Sequence, residues 1–229
     1  MTSRGRHPVS VRVVALGAVM LVLGAGFAYA VIASRALNTV TTPALTVAVE
    51  EGTDGEHYEG WTDPGTQWGA TVPKYVRFTN TGQAHVVMRV SYAQAWTLET
   101  TEGGVPVTKQ LSNTYRTETA EYAVATLDWT SAGLLNTDLW FDGGDGWYYY
   151  RHVLAPGESS DAVLASVTFV EPAPYGYDGA EYQLRFITES CQYSTNLLNK
   201  NQEAVWTTFG MTYEEVGGAL VWSQTAPGV

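Results

Sequence analysis

Cysteine is nearly missing from this chain: Cys191 is the only one in 229 residues. A lone thiol cannot close an intramolecular disulfide, which excludes the small disulfide-held scaffolds. Cys191 therefore reads as a small buried hydrophobe. Bases are also scarce, with 12 Lys and Arg against 23 Asp and Glu, a formal charge of −11. A surface of that sign repels nucleic acid and anionic lipid, so no nucleic-acid partner is expected. No His-Glu-x-x-His pair and no Gly-x-Ser-x-Gly elbow occurs, so the commonest zinc-peptidase and serine-hydrolase motifs are absent. His57, His85 and His152 are scattered and read as surface or internally satisfied groups. No EF-hand spacing is present, and no cofactor or catalytic residue is expected. No repeat or interdomain linker divides the sequence.

The N-terminus is composed differently. Arg4, Arg6 and Arg12 precede an almost wholly apolar run from Val13 to Ala33 that ends near the small pair Ala28 and Ala30. A basic region, an apolar stretch and a small-x-small site describe a secretory signal peptide over residues 1–30, cleaved after Ala30. Membrane contact is then expected only before cleavage. The competing expectation is a single retained anchor, since about 20 apolar residues can span a bilayer. Residues 31–229 form one domain, long enough for a substantial core. All 23 acids but only nine of the bases fall there, a formal charge of −14.

The mature sequence alternates. Trp140 to Phe169 opens as an aromatic hairpin, its turn spanning Asp142, Gly143, Gly144, Asp145 and Gly146 between two aromatic runs. Gly144 and Gly146 are expected at positive φ. A strand from Trp147 to Leu154 follows, then a turn at Pro156 and Gly157, then a strand with Val163, Ala165, Val167 and Phe169 on one face. Upstream, Ala44 to Glu50 places Leu45, Val47 and Val49 on one face. Lys74 to Asn80 and Val86 to Tyr92 read as a second hairpin, with Arg89 and Ser91 on its polar face. Leu98 to Ala125 has a weak pattern and reads as an excursion. Tyr182 to Glu189 alternates cleanly, and Asn199 to Phe209 reads as one short helix, capped by Asn199 or Asn201 and ended by Gly210. Short strands and one helix predict an all-β, antiparallel β-sandwich. Calcium at Asp142 and Asp145 is weighed against a plain Asp-Gly turn, which is preferred. The eight tryptophans and 14 tyrosines raise a carbohydrate-binding surface module as an alternative, although aromatics on strands more often fill a core.

The order KYVRFTNTG at Lys74 to Gly82, VMRVSY at Val87 to Tyr92, DGWYYYRHVL at Asp145 to Leu154, Pro156-Gly157-Glu158 and ESCQ at Glu189 to Gln192 resembles the TasA and camelysin family. These are exported biofilm-matrix proteins of Gram-positive bacteria, processed by a SipW-type signal peptidase. The resemblance implies a jelly-roll-like sandwich, secretion to the cell-surface matrix, and fibre subunits or fibre-associated proteins whose partners are themselves or related subunits. It also implies assembly by strand addition, for which residues 31–49, with Leu45, Val47 and Val49, are the candidate donor strand. Some relatives carry a metalloendopeptidase label, and that activity is the alternative; no ligand motif in this sequence supports it.

Overall fold

The computed structural model describes residues 46–58, 68–193 and 200–226. Ala28, Ala30, Leu45 and the candidate cap Asn199 lie outside them. The described residues are all-β with a single short helix. Every strand pairing among them is antiparallel.

One sheet contains β1 (Val47–Gly52), β2 (Thr71–Asn80), β10 (Leu164–Phe169) and β7 (Ala125–Trp129), in the order β1-β2-β10-β7. The second has the order β11-β3-β9-β8, from β11 (Glu181–Gln192), β3 (Val86–Glu102), β9 (Tyr148–Tyr150) and β8 (Trp140–Asp142). Strand β4 (Val105–Leu111) also pairs with β3. A small hairpin, β5 (Thr114–Arg116) with β6 (Glu121–Ala123), stands apart.

Period-two alternation explains the first core. Val76 and Phe78 of β2 face Met88, Val90 and Trp96 of β3, and all five are fully buried. Aromatic rings join the two sheets: Phe78 meets Phe186 at 5.9 Å, Tyr92 meets Trp129 at 5.2 Å, and Trp96 meets Phe169 at 5.9 Å. Such edge-on pairs add about 0.5–1.5 kcal/mol each beyond the area they bury.

A second core lies on the other face of the second sheet. Val87, Tyr149 and Cys191 are covered there by α1 (Lys200–Phe209) and by the hairpin of β12 (Thr212–Val216) with β13 (Ala219–Ser223). Val205, Phe209, Met211, Leu220 and Trp222 fill the space between. Burial pushes the Tyr149 phenol up to about 12 and the Cys191 thiol up to about 11. The thiol is therefore neutral and unreactive at physiological pH.

Arg89 is the polar centre of this layer, and the sequence reading placed it with Ser91 on the polar face. It is 9% exposed. Its guanidinium pairs with Glu189 at 2.6 Å and donates to the carbonyls of Thr208 and Phe209 at the end of α1, at 3.2 and 3.1 Å. The Trp147 and Phe209 rings lie 4.3 and 4.7 Å from it. A cation at a helix C-terminus meets carbonyls that have no partner within the helix.

Both predicted turns form. Trp140, Phe141 and Asp142 pair with Tyr150, Tyr149 and Tyr148. Gly144 and Gly146 have φ of 70° and 85°. Asp142 Oδ1 accepts from Gly144 N, while Asp145 accepts from Trp147 N and from the Tyr149 hydroxyl. The carboxylates thus fasten the turn. At the other turn Gly157 has φ 79°, and Glu158 N donates to Ala155 O. A Cβ at Gly146 meets nothing within 4 Å, so Gly146→Val tests backbone strain alone. We expect a loss of about 1–2 kcal/mol in the denaturation free energy; an unchanged midpoint would contradict the assignment.

Four details depart from the sequence reading. Strands β2 and β3 are no hairpin: they lie in different sheets, because the buried Asn80 amide binds Ala84 O and Leu154 O and turns the chain across. The strand expected over Trp147 to Leu154 stops at Tyr150, and Leu154 returns as an isolated bridge to Val86. A bulge between Leu164 and Ser166 shifts the register, so Leu164 rather than Ala165 joins Val167 and Phe169 inside. The expected excursion after Leu98 is the continuation of β3, a Gly103-Gly104 turn and β4.

Candidate functional site

Sheets end in strands whose outer N–H and C=O groups lack partners, and the treatment of each end decides where another chain can pair. Strand β8 has only three residues. Strand β7 is met at its first residue by a side chain: Asn113 Oδ1 accepts from Ala125 N and Asn113 Nδ2 donates to Ala125 O, both at 2.9 Å. That amide makes the two bonds a neighbouring strand would make. Strand β4 carries Pro106.

Strand β1 is the end of the first sheet, and its six residues are paired within the chain, Val47 with Asn80 and Val49 with Phe78. Asn80 turns its own main chain to Gly157 and Glu158. Val47 and Val49 therefore point their main-chain groups outward. The Thr188 hydroxyl occupies one of these, donating to Val47 O at 2.9 Å. Val47 is in the first core.

Strand β11 is different. Its 12 residues pair with β3 without a break, from Glu181 with Thr97 to Gln192 with Val86. Tyr193 N donates to His85 O, one step beyond. By alternation, Tyr182, Leu184, Phe186, Thr188, Ser190 and Gln192 direct their N–H and C=O groups to the open side. Among the described residues no main-chain group accepts or donates there. The strand contains no proline, glycine or bulge. Tyr182, Leu184 and Phe186 lean into the core, and Gln183, Arg185 and Ile187 are exposed.

The predicted site residues are distributed as follows. Asp142, Gly144, Asp145, Gly146, Pro156 and Gly157 form their two turns, remote in sequence from this edge. Val47 and Val49 adjoin the edge, but as a strand of their own sheet. In this chain β2 pairs with both. The edge itself went unnoticed in the sequence: alternation over Tyr182 to Glu189 announces a strand, while the vacancy beside it depends on where later residues go.

Among the described residues, no group of three or more His, Cys, Asp or Glu is placed to hold a metal ion. His57 sits on an exposed loop against Asp54, at 3.1 Å. Its backbone and ring hydrogen bonds hold the Asp54 carboxyl below the usual range. The described tryptophans are all buried or half-buried. Comparison with protein-family models, curated proteins and solved structures finds no match.

Proposed function

We propose that this chain is a secreted, non-enzymatic structural subunit of an extracellular matrix that assembles by strand addition. One observation carries the reading: among the described residues β11 is a long, regular sheet edge with no main-chain partner on its open side, touched by β1 at Thr188, whereas β8 is short, β7 is paired by Asn113 at Ala125 and β4 carries Pro106. The sheet orders add a topological reason. The order β1-β2-β10-β7 over β11-β3 follows the A-B-E-D and F-C order of an immunoglobulin-type sandwich, and we read the sandwich this way in place of the jelly-roll expectation. In that layout a last strand, G, pairs with F. Here F is β11, and the chain leaves it for α1 and the outer hairpin. Among the described residues no strand takes the G position, which leaves a place for an incoming strand whose main chain would supply affinity and whose alternate side chains would supply register.

The donor in this proposal is residues 31–45 of a second copy, freed by cleavage after Ala30, with Leu45 among its apolar contacts. The partners are thus copies of this chain or related matrix subunits, together with a SipW-type peptidase during export. Electron microscopy and sedimentation of two forms test it. The chain beginning at Val31 should form fibres. The chain beginning at Thr46 retains β1, so its circular dichroism should be unchanged while it stays monomeric. Fibres of normal length from the shorter form would overturn the donor role.

A further inference from the structure

The arm made by the far half of β3 with β4 poses a problem that the chain has solved. Val105 is 62% exposed, and the seven residues of β4 are exposed or half-buried throughout. An exposed strand with apolar side chains pairs readily with its own copy. Register shows which groups face outward. The Gly103-Gly104 turn joins Glu102 to Val105, Thr101 stands opposite Pro106, and Trp96 stands opposite Leu111. Proline has no N–H and cannot sit in a bonded pair. Val105, Val107, Lys109 and Leu111 therefore bond to β3, while Pro106, Thr108 and Gln110 face the open side. The missing donor lies in the outward row, where it costs the intramolecular sheet nothing and removes a bond from any added strand.

We infer that Pro106 is a specificity-determining residue that closes the β4 edge to β4 of a second copy, so that each subunit presents one acceptor edge and growth is unbranched. The unbranched growth rests on the strand-addition reading for β11; the block at β4 is a property of the arm alone. With a donor at position 106, two β4 strands pair antiparallel about a twofold axis, each residue 106 bonding the other chain.

The test uses the chain from Val31 to Val229 with Pro106→Thr, a residue suited to an exposed strand position. Circular dichroism and amide exchange along β3 and β11 check that the fold is kept, and Pro106→Ala serves as a second variant should threonine disturb the arm. Sedimentation velocity and electron microscopy then compare each with the unaltered chain. We expect about a tenfold stronger lateral association, since each restored main-chain bond contributes modestly and two are gained per pair. It would be read as thicker or branched fibres, with the Thr108 and Gln110 amides protected from exchange. Should the unaltered chain form no fibres, the strand-addition reading falls, yet both variants must still form β4-linked dimers. Folded variants whose dimer content, fibre width and branching match those of the unaltered chain would overturn the inference.

Discussion

Arg89→Met should cost about 3 kcal/mol of stability, the lower end of what removing one partner of a buried ion pair costs. The lower end applies because the Glu189 side chain is 41% exposed and can be rehydrated. The Thr208 and Phe209 carbonyls and the Tyr149 hydroxyl are less fortunate. The two carbonyls end α1 and the hydroxyl faces them, and a thioether offers no donor in place of the guanidinium, which leaves the Tyr149 hydroxyl as the remaining donor to Phe209 O. Methionine replaces much of the arginine stem, so the loss is one of bonds and ring contacts more than of volume. Chemical denaturation measures the total, and amide exchange locates it: α1 and the β12–β13 hairpin should lose protection before β3 and β11 do. A loss below about 1 kcal/mol would mean that Phe209, Leu220 and Trp222 hold the outer layer by packing alone.

Val47→Asp should be of similar size, about 3 kcal/mol, and its cause is different. Val47 is 9% exposed and belongs to the first core. A carboxylate there would be desolvated, the kind of burial that costs most per atom. If β1 were instead lent to a neighbour, the isolated subunit would barely register the change and only assembly would suffer. Denaturation of the monomer therefore separates the two arrangements. A loss of assembly with unaltered monomer stability would return Val47 to the donor strand and move the boundary of β1.

Much of the body was written in local pattern. Tyr182, Leu184 and Phe186 alternate with polar neighbours over a fully regular strand. The glycines flanking Asp145 and the Pro156-Gly157 step each demand a turn that nearly any context would respect. What escaped is instructive in physical terms. Strand β4 alternates valine with proline and threonine and carries Lys109 on its valine face, with too little contrast in hydropathy to stand out, although Gly103-Gly104 is a two-residue hairpin signal. Gly217-Gly218 between Tyr213 and Trp222 is another such signal, and the outer hairpin was missed with it. Arg89 looked solvated because alternation tells which face a residue is on and is silent about whether a second layer covers that face. The edge of β11 is harder still. An unfilled place in a sheet is a property of topology, and no residue within the strand encodes it.

Strand β3 also governs when the fold can form. It pairs with β11 from Val86 to Thr97, and the Arg89–Glu189 contact joins residues 100 positions apart. Closing loops of that size must precede any gain from the contacts they bring, so pairing of this kind sets a slow step in folding. The second sheet cannot be completed until Gln192 is available, however early β1 and β2 have met. The first sheet needs no residue beyond Phe169, so the two sheets become possible at different points of synthesis.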